Sequence, residues 1–110
     1  MKTVLIVNND QMGHGDAELG RKILGTCLRK LPRLARLDAV VFYNGGVKLA
    51  TKTSPFVAEL HQLHEHGVEL LVCGTCVAHF GLQDQMVLER VSNMDEILAV
   101  LNAAEKVVTL

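Results

Sequence analysis

The 110-residue sequence lacks an excess of charge of either sign: 11 Lys and Arg stand against 12 Asp and Glu, a formal net charge of -1. That balance excludes the electrostatic footprint of a nucleic-acid binder, which needs a basic face or stripe. The nearest thing to a patch is Arg29, Lys30, Arg33 and Arg36, placed where a helix is expected to end and where cations are favoured by the helix dipole. No nucleic-acid partner is expected. Equally missing is an apolar run of the roughly 18 residues that a membrane helix needs, so no membrane association is expected. The stretch Met1–Val7 is too short for the apolar region of a signal peptide and has no small-residue cleavage site. A cytoplasmic location is therefore expected. Cysteine is sparse and odd in number, 3 in all, which argues against a disulfide framework and turns attention to metal or thiol chemistry. There is no internal repeat, low-complexity tract or long linker, and the length suits one core. A single domain over residues 1–110 is expected.

Against these absences stands a hydrophobic share of 49%, distributed in two periods. Thr3–Val7, Ala39–Tyr43, Val68–Cys73 and Val107–Leu110 are short continuous apolar runs, as in strands covered on both faces. A weaker run at Met86–Val91 reads as an edge strand. Between them, helical spacing joins Leu19, Ile23, Leu24, Cys27, Leu28 and Leu31, then Phe56, Val57, Leu60 and Leu63, and finally Met94, Ile97, Leu98 and Leu101. Asp16 is placed to cap the first helix, Ser54 before Pro55 the second, and Ser92 or Asn93 the last, while Gly67 marks a helix stop. Alternating strands and helices predict a parallel sheet of about five strands inside a three-layer α/β/α sandwich. In such sheets ligands gather beyond the carboxyl ends of the strands. Three loops should meet there: Asn8–Gly15, Asn44–Thr53 and Cys73–Gly81.

Each loop offers a chemistry. The first, Asn8–Asp16, is rich in glycine, but Glu18 stands where the third glycine of a dinucleotide fingerprint belongs, and Asp16 and Glu18 put negative charge where a pyrophosphate would sit. A capped turn with exposed amides near Gly13 and Gly15, open to some other small ligand, is the better description. His61, His64 and His66 point in different directions on a helix at 100° per residue, so they do not converge on a metal. Cys73-x-x-Cys76-x-x-His79 has ligand-like spacing, yet a structural zinc site takes four ligands and no second pair exists. Haem attachment would need His where Val77 stands. No metal and no cofactor are expected. Two readings of Cys73 then stand side by side: a thiol whose pKa is lowered by the amides of a following helix, hence a nucleophile, or a small hydrophobe that finishes a strand. Cys27, on the apolar stripe of the first helix, is assigned to the core.

The segments "NNDQMGHGDAELG", "VVFYNGGVKLA", "GVELLVCGTCVAHFGL" and "VSNMDEILAVLNAAEKVV" together resemble the DsrE/DsrF-like family, in particular the C-terminal domain of YedF-type proteins, which are sulfurtransferase-like and tied to selenium metabolism. The resemblance covers nearly the whole chain. It implies an α/β/α sandwich, often assembled as a trimer or hexamer, in a family with members that relay sulfur as a cysteine persulfide. In related sulfur-relay proteins of the TusD type the accepting cysteine ends the third strand eight positions before a glycine, and Cys73 and Gly81 match that spacing. The resemblance thus implies Cys73 as the carrier, while Cys76, which belongs to the C-G-T-C version and has no counterpart in that wider pattern, is expected as a resolving thiol because a positioned neighbouring thiol can attack a persulfide intramolecularly; Asn44 and Lys48 of the F-Y-N-x-G-V-K block, and the exposed amides at Gly13 and Gly15, are expected to bind substrate. YedF-type proteins also carry a TusA-like domain with a Cys-Pro-x-Pro motif. That motif is missing from this sequence, so sulfur donor and acceptor proteins, TusA-like ones among them, are expected in trans. Two other functions fit the residues: a non-catalytic small-ligand-binding or assembly domain, and a CxxC redox sensor.

Overall fold

The structure, a computed structural model, describes residues 2–110, Met1 lying outside them. The apolar runs form a parallel sheet: β1 (Thr3–Val7), β2 (Leu37–Phe42), β3 (Glu69–Val72) and β4 (Lys106–Thr109), in the order β3-β2-β1-β4. Every β1 side chain is buried, because this central strand is covered on both faces. Register follows the apolar pattern, with Leu5 level with Val40 and Val108, and Val40 level with Leu70.

Parallel neighbours require crossovers, and helices supply them. α1 (Ala17–Arg29) links β1 to β2, and α2 (Val57–Glu65) links β2 to β3. The return from β3 to β4 passes through α3 (Gly74–His79) and α4 (Met94–Ala103). With the right-handed crossovers that such units take, α1 and α2 cover one face and α4 the other. The core joins Val4, Leu5, Val40, Val41 and Phe42 to Leu24 and Leu28 of α1, Leu60 of α2 and Ile97 of α4.

The caps fall where the sequence places them. Asp16 Oδ1 accepts the Leu19 N–H at 2.7 Å, and Asn93 Oδ1 accepts the Glu96 N–H at 2.8 Å. Ser54 is the exception: α2 begins only at Val57, after Phe56 and without a side-chain cap, and the Ser54 hydroxyl accepts the Phe56 N–H at 3.1 Å in the turn before it. Gly67 follows α2 with φ +84°. Asp16→Ala, by leaving one amide of the first turn without its acceptor, should cost about 1 kcal/mol, measurable by urea unfolding as a lower midpoint at unchanged slope.

Three expectations need correction. Among the described residues the sheet has four strands, not about five. The run Met86–Val91 is tied at its ends only, by an antiparallel bridge from Met86 to Thr51 and by a parallel bridge from Ser92 to Cys73. Between those ties Leu88, Glu89 and Arg90 diverge from β3, and a groove of about 580 Å³ lies between. β4 is not covered on both faces: as an edge strand it leaves Val107 exposed. Finally, α1 buries Gly20, Leu24, Gly25 and Leu28, so Leu19 and Ile23 fall outside its inward face and remain 56% and 41% exposed. Cys27 packs partly buried against the core, and burial pushes its thiol above the ordinary value.

Candidate functional site

β3 ends against the loop that carries the two thiols. Cys73 still has extended backbone angles, φ -63° and ψ 116°, and its N–H donates to Phe42 O at 3.0 Å. Its carbonyl meanwhile accepts the Val77 N–H at 3.1 Å and starts α3. One residue therefore belongs to the sheet through its donor and to the helix through its acceptor, which fixes where its side chain leaves the backbone. Cys73 is only 5% exposed. Cys76, three residues on, is half-buried and lies within hydrogen-bonding reach of the Cys73 side chain.

Two neighbouring segments hold this junction. On the outer side Ser92 donates its N–H to Val72 O at 2.7 Å and accepts the Gly74 N–H at 2.9 Å. A Cβ on Gly74 would stand 3.0 Å from Ser92 O, so the glycine lets the strap pass close. Ser92 Oγ also donates to Glu96 Oε1 at 2.7 Å, and Arg90 pairs with the same oxygen at 2.9 Å. Those two partners, the serine first, hold the Glu96 carboxyl below its ordinary range.

On the inner side lies the 3₁₀ turn Asn44–Ala50, whose residues Val47, Leu49 and Ala50 are buried. Asn44 has φ 50°, a left-handed conformation that asparagine tolerates better than most residues. This twist turns its backbone N–H onto Cys76 Sγ at 3.1 Å. The contribution of Asn44 is thus made by its backbone. Lys48 places its ammonium 4.7 Å from the centroid of the Phe80 ring, a cation–π contact that ties the second loop to the end of α3. The first loop joins through Asn9, whose Oδ1 lies 3.1 Å from where a Cβ of Gly45 would be.

The expected site residues therefore divide. Cys73, Cys76 and the Asn44 backbone form one contact cluster, with Lys48 beside it on Phe80. Gly13 and Gly15 sit at the exposed tip of the first loop with open space around them, and the contacts that join the loops run through Asn9 and Gly45 instead. The 290 Å³ cleft that includes Lys48 and Asp10 is lined by neither thiol. Phe80 is the rim residue that sequence reasoning missed, although its place four residues after Cys76, one helical turn on, was a signal. His61 and His64 are exposed, and His66 Nδ1 bonds Gln62 O at 2.6 Å. Among the described residues no group of three or more His, Cys, Asp or Glu is arranged to hold a metal ion, and no helix is long and apolar enough to cross a membrane.

The electrostatics of Cys76 follow from its surroundings. Burial pushes the Cys76 thiol above its ordinary value, the hydrogen bond with Cys73 raises it further, and the Asn44 N–H works against both. Cys76 therefore stays protonated at neutral pH. Its alkylation by iodoacetamide should be slower at neutral pH than that of a free thiol, accelerating only above the ordinary thiol range of about 8.5. In Cys73→Ser the profile should move part of the way back, since burial, the larger cause, persists. Peptide mass spectrometry of alkylation rate against pH reads both effects.

Two solved structures share this architecture. One is the protein of unknown function MTH1491 from Methanobacterium thermoautotrophicum, 22% identical, with a TM-score of 0.66 over 96% of this chain and 97% of its own. The other is the YchN protein from E. coli, 17% identical, with a TM-score of 0.71 over 100% of both chains. At such identities the likeness concerns the fold alone. No curated protein matches the chain. A family model does, over residues 1–110, and on that match the chain belongs to the DsrE/DsrF-like family.

Proposed function

We propose that this protein handles sulfur, carrying sulfane sulfur as a persulfide on Cys73 with Cys76 as the resolving thiol. The observation that supports the reading is the closeness of the two thiols at the end of β3, with Cys73 fixed between sheet and helix and burial pushing the Cys76 thiol up. In loading, the Cys73 thiolate attacks the terminal sulfur of a donor persulfide; the new S–S bond forms as the donor thiolate leaves, with no net oxidation. In delivery, an acceptor thiolate takes the outer sulfur by the same exchange. In the absence of an acceptor, Cys76 passes its proton to the outer sulfur of the Cys73 persulfide anion and attacks the inner sulfur, so that hydrosulfide leaves and a Cys73–Cys76 disulfide forms, which a dithiol reductant returns to the starting state.

Partners in trans follow from this chemistry: a persulfide-bearing donor, a thiol acceptor, and TusA-like proteins as candidates for either. A reducing cytoplasm suits both thiols. A homo-oligomer, trimer or hexamer, would give the exposed Leu19, Ile23, Met94, Leu98 and Val107 a partner surface, and size-exclusion chromatography with light scattering measures it. The function is tested by incubating the protein with inorganic polysulfide and mapping peptides by mass spectrometry. An adduct of about 32 Da on the Cys73 peptide is expected. A Cys73 peptide left unmodified by every sulfane donor tried sinks the reading.

A further inference from the structure

β3 is an edge of the sheet, and its outer backbone groups are only partly met. In a parallel ladder successive residues turn their N–H and C=O to alternate sides. Cys73 donates its N–H to Phe42 O in β2, so Leu71 turns to β2 as well, while Leu70 and Val72 turn outward. The Val72 C=O accepts the Ser92 N–H at 2.7 Å. The Val72 N–H and both backbone groups of Leu70 have no partner among the described residues. Facing them, across the groove of about 580 Å³, runs the strap that ends at Ser92. Bends at residues 87–89 carry it away from β3, and among the described residues nothing is hydrogen-bonded to the backbone of residues 88–91. Two backbones without protein partners thus lie side by side, already joined at one rung.

That rung fixes a register. At the Cys73–Ser92 bridge the strap runs parallel to β3, and Ser92 faces β3 with its N–H on Val72 O and its C=O on the Gly74 N–H. Two residues back, Arg90 faces the same way in that register: its N–H meets Leu70 O and its C=O meets the Val72 N–H. Two further back, the Leu88 C=O meets the Leu70 N–H. Each of the unmet groups on Leu70 and Val72 thus finds its own partner on the strap. The side chains agree with this. Arg90 and Ser92 both reach Glu96 Oε1, at 2.9 and 2.7 Å, so they leave the strap on one face, as residues i and i+2 of an extended chain do.

We propose that residues 88–91 are a fifth strand held in reserve, which zips onto β3 from the Ser92 rung and seals the edge of the sheet. The net gain from its hydrogen bonds and the entropy lost in straightening the bends are of the same order, so the open and closed forms are close in free energy and both are populated. Closed, the strap withdraws β3 from pairing with any other chain. Open, it leaves that edge exposed, the hazard of any unpaired strand. Zipping starts at the bonds on either side of Cys73 and stiffens the end of β3, but the device does not depend on the sulfur chemistry proposed above.

The test is amide hydrogen exchange of the full chain, followed by NMR. In the closed form the N–H groups of Leu70, Val72 and Arg90 are bonded, whereas those of Glu89 and Val91 point away from β3. After correction for sequence the first three should therefore exchange about twofold or more slower than the last two, as closure for half the time or more requires. Arg90→Pro removes the donor to Leu70 O and should bring Leu70 and Val72 to the rate of the open strap. Glu89→Pro puts the ring where no bond is made, a place in which edge strands accept proline, and should leave both protected. Arg90→Gln, which loses the Glu96 pair but keeps the amide, should leave them protected too. Equal exchange at all of these amides in the wild type, or protection of Leu70 that Arg90→Pro leaves intact, overturns the proposal. Protection that grows with protein concentration assigns the edge to a second copy of the chain and overturns it as well.

Discussion

Replacing Cys73 by serine should abolish the sulfur adduct of about 32 Da entirely, whereas Cys76→Ser should keep it and prolong its life. The asymmetry follows from the geometry. Cys73 is held by its N–H bond to Phe42 O and its carbonyl bond from Val77, neither of which involves the side chain, so serine preserves the fold while removing the nucleophile. A hydroxyl neither ionises near neutral pH nor bonds sulfane sulfur. Cys76 sits within hydrogen-bonding reach of Cys73 and its thiol is raised by burial, so on the proposed reading it should compete poorly for the donor and act once the persulfide is in place. Effective molarities for well-oriented intramolecular attack reach about 10⁵ M, far above any external thiol, so loss of Cys76 should slow sulfide release at least about tenfold even if only a small part of that advantage operates. Sulfide release and adduct lifetime after a polysulfide pulse measure this directly. An adduct on Cys76 in Cys73→Ser would reverse the two roles, and equal lifetimes in wild type and Cys76→Ser would remove Cys76 from the mechanism. A disulfide formed under peroxide with no sulfur donor, and never a persulfide with one, would instead favour the redox sensor.

How far the sequence displays this arrangement depends on how local each determinant is. The buried strands are legible because a strand covered on both faces must be continuously apolar, as Thr3–Val7 is. Caps are legible because Asp16 and Asn93 act within three residues of themselves. The run Met86–Val91 misleads for the complementary reason: its apolar start permits a strand, but whether it pairs is decided by where the distant Thr51 and Val72 backbones hold its ends. The inward face of α1 was likewise set by its glycines, Gly20 and Gly25, which apolar periodicity does not count. Within the site, Cys73 and Cys76 were visible as a pair. The backbone donor at Asn44 and the ring of Phe80 under Lys48 were not, because both depend on two loops packing side by side.

That packing has a single most sensitive point. Gly46→Ala should destabilise the protein by about 3 kcal/mol or more, lowering Tm by about 10 °C or more. A Cβ at this position would stand 2.0 Å from Val7 O and 2.8 Å from Val7 C. Both are backbone atoms of the central strand, so no rotamer change relieves the overlap, and the turn Asn44–Ala50 must lift off the end of β1. Lifting it strains the Tyr43 N–H bond to Val7 O and the Gly46 N–H bond to Tyr43 O, and disturbs the buried Val47, Leu49 and Ala50. Nearby glycines supply the controls. At Gly45 the nearest atom to a Cβ is the side-chain Oδ1 of Asn9 at 3.1 Å, which can turn away, and at Gly15 nothing lies within 4 Å. Gly45→Ala should therefore be mild and Gly15→Ala near neutral. The same displacement reaches the thiols, because it withdraws the Asn44 N–H from Cys76 Sγ and opens the pair to solvent. Loss of the N–H alone would raise the Cys76 thiol further. Burial is the larger influence on it, so solvent entry should prevail and Cys76 should alkylate faster at neutral pH in Gly46→Ala than in wild type. Thermal unfolding and alkylation rate thus read one event by two routes. A Gly46→Ala protein as stable as Gly15→Ala, or one destabilised with Cys76 reacting as before, would break the link between the packing of this loop and the chemistry of the site.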